Sequence, residues 1–481
     1  MSLNLHQTLS WTQSLAASNP DSAAELAMLN DLQGNILKGH GRLHTSNLFV
    51  VFNSAKKVAA KKFVAALGAR VTSALDQLTN AQVFKATGVS GDDFFALLLS
   101  ATGYKALGEL TAKPDGVAFN EGMKVRMLND PAPVSWDAHF SGEVHAMILI
   151  AANSSAQRDA QRSAMLAQIA ATAGAVKILN PQFEEDGDAV FNHDMNGIEH
   201  FGYVDGRSQP LALKEDLLKE ETENGGISNW NPAISLSQLL VHCPGGKLAA
   251  SHGSYFVFRK LDQNVKAFKE REEALAKQLE VRHGLAEGAI GERAGATVVG
   301  RFENGTPVIL SETETKPIPA GSVGVPNNFN YAGDSAGLKC PFAGHIRKTN
   351  PRNDTPDSKD HLMARRGIPY GQRTDDPNDG KIDNKPSKDV GLLFMAYQSS
   401  LEKQFEFTQQ SWVNNPNFRI GSTGIDPLIG QASGPSGQKW PVKYGKTLSD
   451  GRNDDDFSGF VTMRGGEYFF APSISFLKSL K

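Results

Sequence analysis

The chain has 481 residues, 40% of them hydrophobic, with 49 Lys and Arg against 52 Asp and Glu for a formal net charge of −3. That length predicts two to four domains, and the balanced charge excludes a basic nucleic-acid or anionic-membrane footprint. Two cysteines, Cys243 and Cys340, stand outside any CxxC spacing, which excludes a disulfide framework and a zinc knuckle and fits a reducing compartment.

The N-terminal stretch has no basic segment followed by a long apolar run, and no apolar run of about 20 residues occurs, so a cytoplasmic, membrane-free protein is expected. Residues 1–30 read as an extension. The first β-rich run, SNLFVVFN (46–53), precedes the helical pattern AKKVAAKKFVAALGA. A second, EVHAMILIAAN (143–153), precedes AQRDAQRSAMLAQIAATAG. The second half repeats the order: GSYFVFRKL (253–261) leads into DQNVKAFKEREEALAKQLEV, and GLLFMAYQ (391–398) into SSLEKQFEFTQQSWV.

Two such units per half, with room for further strands, predict a β-α-β-β-α-β arrangement that occurs twice. The expected fold is α+β: tandem ferredoxin-like domains over residues 31–235 and 236–481, each with helices on one face of an antiparallel sheet. A turn-rich seam lies near 222–252, an apparent insertion spans 262–316, and a long polar loop spans 350–390.

Some local patterns fail. KYGKT (443–447) lacks the first glycine of a phosphate loop, because Trp440 holds that place. DPNDGKIDNK (376–385) is similar to a calcium loop but lacks the closing glutamate, so it reads as an exposed loop.

Four stretches hold polar groups in apolar surroundings. FGYVDGRSQP (201–210) puts Asp205 beside Gly206 and two residues before Arg207. CPFAGHIRKTNPR (340–352) puts His345 near Arg347, Lys348 and Arg352. Such a histidine is either a hydrogen-bonded structural residue or an axial ligand of haem iron, with nearby cations meeting the propionates. HLMARRGIPYG (361–371) sets Arg365 and Arg366 against an apolar turn, and STGIDPLIGQ (422–431) carries Asp426.

These blocks, with DLQGNILKGHGR (31–42), GSYFVFRKL and GLLFMAYQ, occur in an order that resembles the dye-decolourising (DyP-type) haem peroxidases, from about residue 30 to the C-terminus. GxxDG alone is a weak signal; the ordered set is specific. The resemblance implies one non-covalent haem b per chain, with His345 as proximal ligand and Asp426 accepting its Nδ1–H. It further implies Asp205 and an arginine on the distal side, Arg365 by alignment on the Pro-aromatic-Gly ending, with Arg366 as competitor. Leu392 and Phe394 resemble the apolar wall of the distal pocket, Arg347 and Arg352 are candidates for the propionates, and Gly202 and Gly206 are expected to let the backbone approach the haem. Gly367 stands where shorter members carry asparagine, which leaves Asp205 and the arginine as the expected polar groups for peroxide.

The implied activity is reduction of hydrogen peroxide to water through a ferryl and porphyrin-radical oxidant, with dyes or phenols oxidised one electron at a time. Tyr370, Tyr397 and Trp412 are candidate relays for electrons from bulky reductants, and a monomer or homodimer is expected. The alternative is a haem carrier or sensor without turnover.

Overall fold

The structure, a computed structural model, describes residues 3–16, 21–223, 225–315, 324–431, 437–446 and 452–481. Eight strands carry the fold. They are β1 (His44–Phe52), β2 (Phe94–Leu99), β3 (Ala146–Ala152), β4 (Asp186–Asp188), β5 (His252–Gln263), β6 (Ile368–Tyr370), β7 (Gly391–Gln398) and β8 (Val461–Ala471). Helices α1 (Lys57–Gly68) and α2 (Ser155–Ala171) follow β1 and β3, and α3 (Val265–Arg282) follows β5. After β7 the chain forms wide π-helical turns over Leu401–Glu406 and Thr408–Val413.

Within the first half the lateral order is β4-β1-β3-β2, and within the second it is β8-β5-β7-β6, every pair antiparallel. If each half is numbered from its own first strand, both read 4-1-3-2. The duplication expected from the repeated strand–helix order is therefore present.

The two sheets do not stay separate. β2 pairs with β8 through Leu99 and Phe470, and β4 pairs with β6 through Gly187 and Tyr370. The eight strands thereby close into one barrel, which removes the sheet edges. The second seam needs glycine: a Cβ on Gly187 would lie 2.5 Å from Ile368 Cγ2 and 2.6 Å from Thr45 Oγ1.

Aromatic rings fill the barrel. Phe49 on β1 meets Phe258 on β5 at 4.9 Å, Phe469 on β8 at 6.2 Å and Phe140 at 5.0 Å. Neither β5 nor β8 is a neighbour of β1 in the sheet, so these contacts cross the interior. No helix among the described residues is long and apolar enough to cross a membrane.

Phe49 is fully buried at this cross-barrel contact. Phe49→Ala is expected to lower unfolding free energy by about 3–5 kcal/mol, read as a lower midpoint in urea. An unchanged midpoint would contradict the interior packing.

Candidate functional site

A cavity of ≈ 1790 Å³, its open mouth included, is lined by residues from both halves. One wall begins with a short helix, α4 (His345–Thr349), of which His345 is the first residue. Gly344 before it packs closely, since a Cβ there would lie 3.0 Å from the Thr297 carbonyl. His345 Nδ1 lies 2.9 Å from Asp426 Oδ2, and Asp426 is fully buried.

Asp426 Oδ1 accepts the backbone N–H groups of Leu428 and Ile429, both at 2.9 Å. Burial pushes its pKa up, but the His345 charge and hydrogen bond with these N–H groups more than reverse that, and the net direction is down. An ionised carboxylate only accepts, so Nδ1 of His345 carries the proton and Nε2 keeps its lone pair. Burial draws the His345 pKa down and Asp426 raises it by more. The result is an oriented, electron-rich imidazole on a cavity wall.

Asp205 and Gly206 line the same cavity. They follow a tight hairpin in which Ile198 bridges Val204 and the Asp205 N–H reaches the Gly197 carbonyl at 3.0 Å. Several contacts tie the hairpin to the second half. Phe201 stacks on Phe268 of α3 at 3.9 Å, and His200 Nε2 donates to the Tyr370 carbonyl at 2.8 Å. Burial lowers the His200 pKa to about 4, which keeps that imidazole neutral. Gly202 and Gly206 have φ of +102° and +78°, a region that glycine enters without cost.

The apolar surroundings read in the sequence suggest an enclosed Asp205. It is instead exposed, because its side chain stands on the wall of an open cavity. Gly202 is not among the lining residues and serves the turn; a Cβ there would meet the Glu303 carboxylate at 3.4 Å. At Gly206 no atom lies within 4 Å of where a Cβ would stand.

Arg365 sits on the two-residue strand Ala364–Arg365, which pairs with β7. Its guanidinium donates to the Arg207 carbonyl at 2.8 Å, and its N–H donates to Gln209 Oε1 at 3.0 Å. Burial lowers its pKa and the Asp205 charge opposes that. Arg366 points away from the cavity, donating to the carbonyls of Asn35, Ile36 and Arg365. Alternation along the strand thus decides between the two arginines: Arg365 faces the cavity. The same alternation on β7 brings Leu392 and Phe394 to the cavity while Leu393 and Met395 are in the core.

Arg347 and Arg352 are corrections. Arg347 is fully buried in a cage of Asp354, Asp334 and the Cys340 carbonyl, outside the cavity lining. Arg352 donates to the carbonyls of Asn327 and Phe329 and stacks over Trp230 at 4.2 Å. Both hold the loops around α4 rather than facing the cavity. Arg207 does line it, but its guanidinium is clamped to Glu220 at 2.8 and 3.0 Å.

Sequence reasoning missed several lining residues: Arg301, Asn350, Glu199 and Gln263. Asn350 lies in the block that contains His345, and Glu199 just before FGYVDG, so both were near a signal. Arg301 lay in the segment set aside as an insertion and carried none.

Other polar clusters already hold a cation. Lys385 Nζ lies 2.6 Å from Asp379 and 3.3 Å from Asp375, filling the calcium-like loop. Lys260 Nζ lies 2.8 Å from Asp137 and 2.9 Å from Glu185, which with His139 form the acidic group at the barrel.

Comparisons with known proteins agree with this geometry. The family model described as the DyP dimeric alpha+beta barrel domain matches residues 31–183, and that described as Dyp-type peroxidase, C-terminal, matches residues 224–418. The chain is 42% identical over 510 residues to the multifunctional dye peroxidase DyP2 of Amycolatopsis sp., covering 100% of both. It is 29% identical to the dye-decolorizing peroxidase AauDyP1 of Auricularia auricula-judae, over 94% of this chain and 88% of that one. The crystal structure of a DyP-type peroxidase from Anabaena sp. superposes with a TM-score of 0.87 at 38% identity over 100% of both chains. With a closed barrel built from two 4-1-3-2 halves and a paired His345–Asp426 in its cavity, the chain belongs to the DyP-type peroxidase family.

Proposed function

We propose that the protein reduces hydrogen peroxide with electrons from dyes or phenols, using one non-covalent haem b held by His345. One observation carries this reading: an imidazole with its Nδ1 fixed by a buried carboxylate shares a cavity with an exposed carboxylate, Asp205, and a half-buried guanidinium, Arg365.

The cavity suits an iron porphyrin. Asn350 Nδ2 is buried without a hydrogen-bond partner among the described residues, and its residue lines the cavity. Arg301 also lines it, with burial and the Arg352 and Arg207 charges lowering its pKa to about 9. A concentration of cations with an orphan amide suits carboxylates on a ligand. Arg301 and Asn350 therefore replace Arg347 and Arg352 as proposed partners of the propionates. Leu392, Phe394 and the side-chain-free Gly206 give the flat, apolar contact a macrocycle needs.

When bound, haem supplies the redox chemistry of peroxide cleavage. His345 Nε2 holds the metal and Asp426 keeps the ring aligned. Asp205 would take a proton from one oxygen of the peroxide and return it to the other, which leaves as water. Arg365 stabilises the charge that builds on that oxygen, a contact worth about 3 kcal/mol in comparable sites. Gly367 offers no side chain here. A carrier or sensor would use His345 but would leave Asp205 and Arg365 without a task.

Among the proposed relays, Tyr370 and Tyr397 are core residues, with the Tyr370 hydroxyl on Asp262. Trp412 is buried too, but its ring lies 5.0 Å from that of His361, which lines the cavity. That contact favours Trp412 as the route for electrons from reductants too bulky to enter.

Asp205→Asn is expected to keep haem and slow the reaction with peroxide by about 10²–10⁴-fold, measured by stopped-flow absorbance. A wild-type rate would remove Asp205 from the chemistry. His345→Ala is expected to lose haem or show a changed Soret band; full occupancy with an unaltered spectrum would refute the ligand assignment. Trp412→Phe is expected to lower turnover of a bulky dye, and equal turnover would exclude that route.

A further inference from the structure

Reduction of one peroxide to two waters follows H2O2 + 2 e− + 2 H+ → 2 H2O. When the reductant stays outside, its electrons arrive without protons, so protons must reach the cavity separately. Asp205 returns the proton it takes during O–O cleavage and so adds none to the balance. The two that are consumed come from elsewhere, and a titratable group on the same cavity can supply them.

Glu199 lines the same cavity, at the base of the hairpin that presents Asp205. Its Oε2 accepts from the Phe201 N–H at 2.8 Å and from Gln263 Nε2 at 2.6 Å, and its Oε1 accepts from the Tyr203 N–H at 3.1 Å. An ionised Glu199 is well held by these donors. Gln263 is buried on β5, and its own Oε1 has no hydrogen-bond partner among the described residues. A half-turn of that amide exchanges Nε2 for Oε1. Oε1 can then accept a proton carried on Glu199 Oε2, so the acid keeps a partner while one amide atom of Gln263 stays unpaired in either state. The pair therefore suits either protonation state without breaking contact.

We propose that Glu199, with Gln263, is the proton store of this cavity, taking protons from solvent and passing them to Asp205. The inference rests on the reading of Asp205 given above. In each transfer an O–H bond on Glu199 Oε2 breaks and one on the Asp205 carboxylate forms, relayed by water because no hydrogen bond joins the two groups among the described residues. Asp205 then delivers the proton to the oxygen that becomes water and returns to its ionised form.

Burial pushes the Glu199 pKa up to about 7, the Asp205 charge adds to it, and the three donors oppose it. Glu199 thus holds its proton below neutrality and loses it above. Other charged groups near the hairpin are Glu303 against Gly202, Lys269 paired with Glu303, Arg373 on the His200 carbonyl, and Arg259 and Asp262 on β5. Asp205 is the charge that acts on Glu199 directly.

The test is an infrared pH titration of the purified protein together with the pH profile of dye turnover. The wild type is expected to show a protonated-carboxyl carbonyl band that disappears with a midpoint near pH 7. Glu199→Gln should lack that band, and Asp205→Asn should keep it. Glu199→Gln keeps acceptors for the backbone N–H groups but cannot carry the proton, so its turnover should fall about tenfold, less than loss of a primary acid–base group, with a flattened pH profile. A band that survives in Glu199→Gln, or a pH profile that superposes on the wild type, overturns the proposal. If Glu199→Gln does not fold, Gln263→Leu decides: a displaced band and midpoint support the pair, and unchanged ones overturn it. A wild-type peroxide rate in Asp205→Asn would instead overturn the underlying reading, with the Glu199 band intact.

Discussion

The hydrogen bond from His345 to Asp426 is the contact on which the site depends. It joins a short helix to a loop 81 residues further along the chain, and it places a fully buried carboxylate behind an imidazole that faces the cavity. The carboxylate is held from its other oxygen by two backbone N–H groups. Neither ring orientation nor tautomer is left free. The surrounding buried cations serve this arrangement from outside the cavity. Arg347 fixes the loop before α4, and Lys348 Nζ reaches the carbonyls of Trp412 and Asn415 at 2.8 and 2.7 Å, tying α4 to the π-helical turns. Among the described residues no carboxylate lies within salt-bridge distance of Lys348, and burial lowers its pKa to about 7.

Barrel closure brings the remaining groups to that imidazole. Asp205 comes from the end of the first half, and Arg365, Leu392 and Phe394 from the second. The seam at Gly187 and Tyr370 joins these halves beside the hairpin, and His200 binds the hairpin to the same Tyr370. A duplicated fold thus yields a site that neither half contains. The repeated strand order is kept in the barrel.

Much of the fold is legible in the chain because strand and helix periods are local properties. β1, β3, β5 and β7 stand where the apolar runs do, and the helices follow them. Closure is not legible, since each seam rests on a single aligned pair, Leu99 with Phe470 and Gly187 with Tyr370, far apart in sequence. In the site, the ordered blocks lead to His345, Asp426, Asp205 and Arg365. They mislead for Arg347, because a residue two places along a helix faces away from the first. Arg352, just beyond that helix, is drawn off by the Asn327 and Phe329 carbonyls. Nearness in sequence does not give a shared direction. Arg301 and Gln263 could not be found at all, for one lies in a segment without a motif and the other at the polar end of a strand.

The central claim is that one imidazole, made electron-rich by one carboxylate, holds the metal of a bound porphyrin. Resonance Raman spectroscopy of the reduced, haem-loaded protein measures the iron–imidazole stretch directly. The account predicts a single such band in the wild type that shifts to lower frequency in Asp426→Asn. No iron–imidazole band, or one at the same frequency in both proteins, would contradict it.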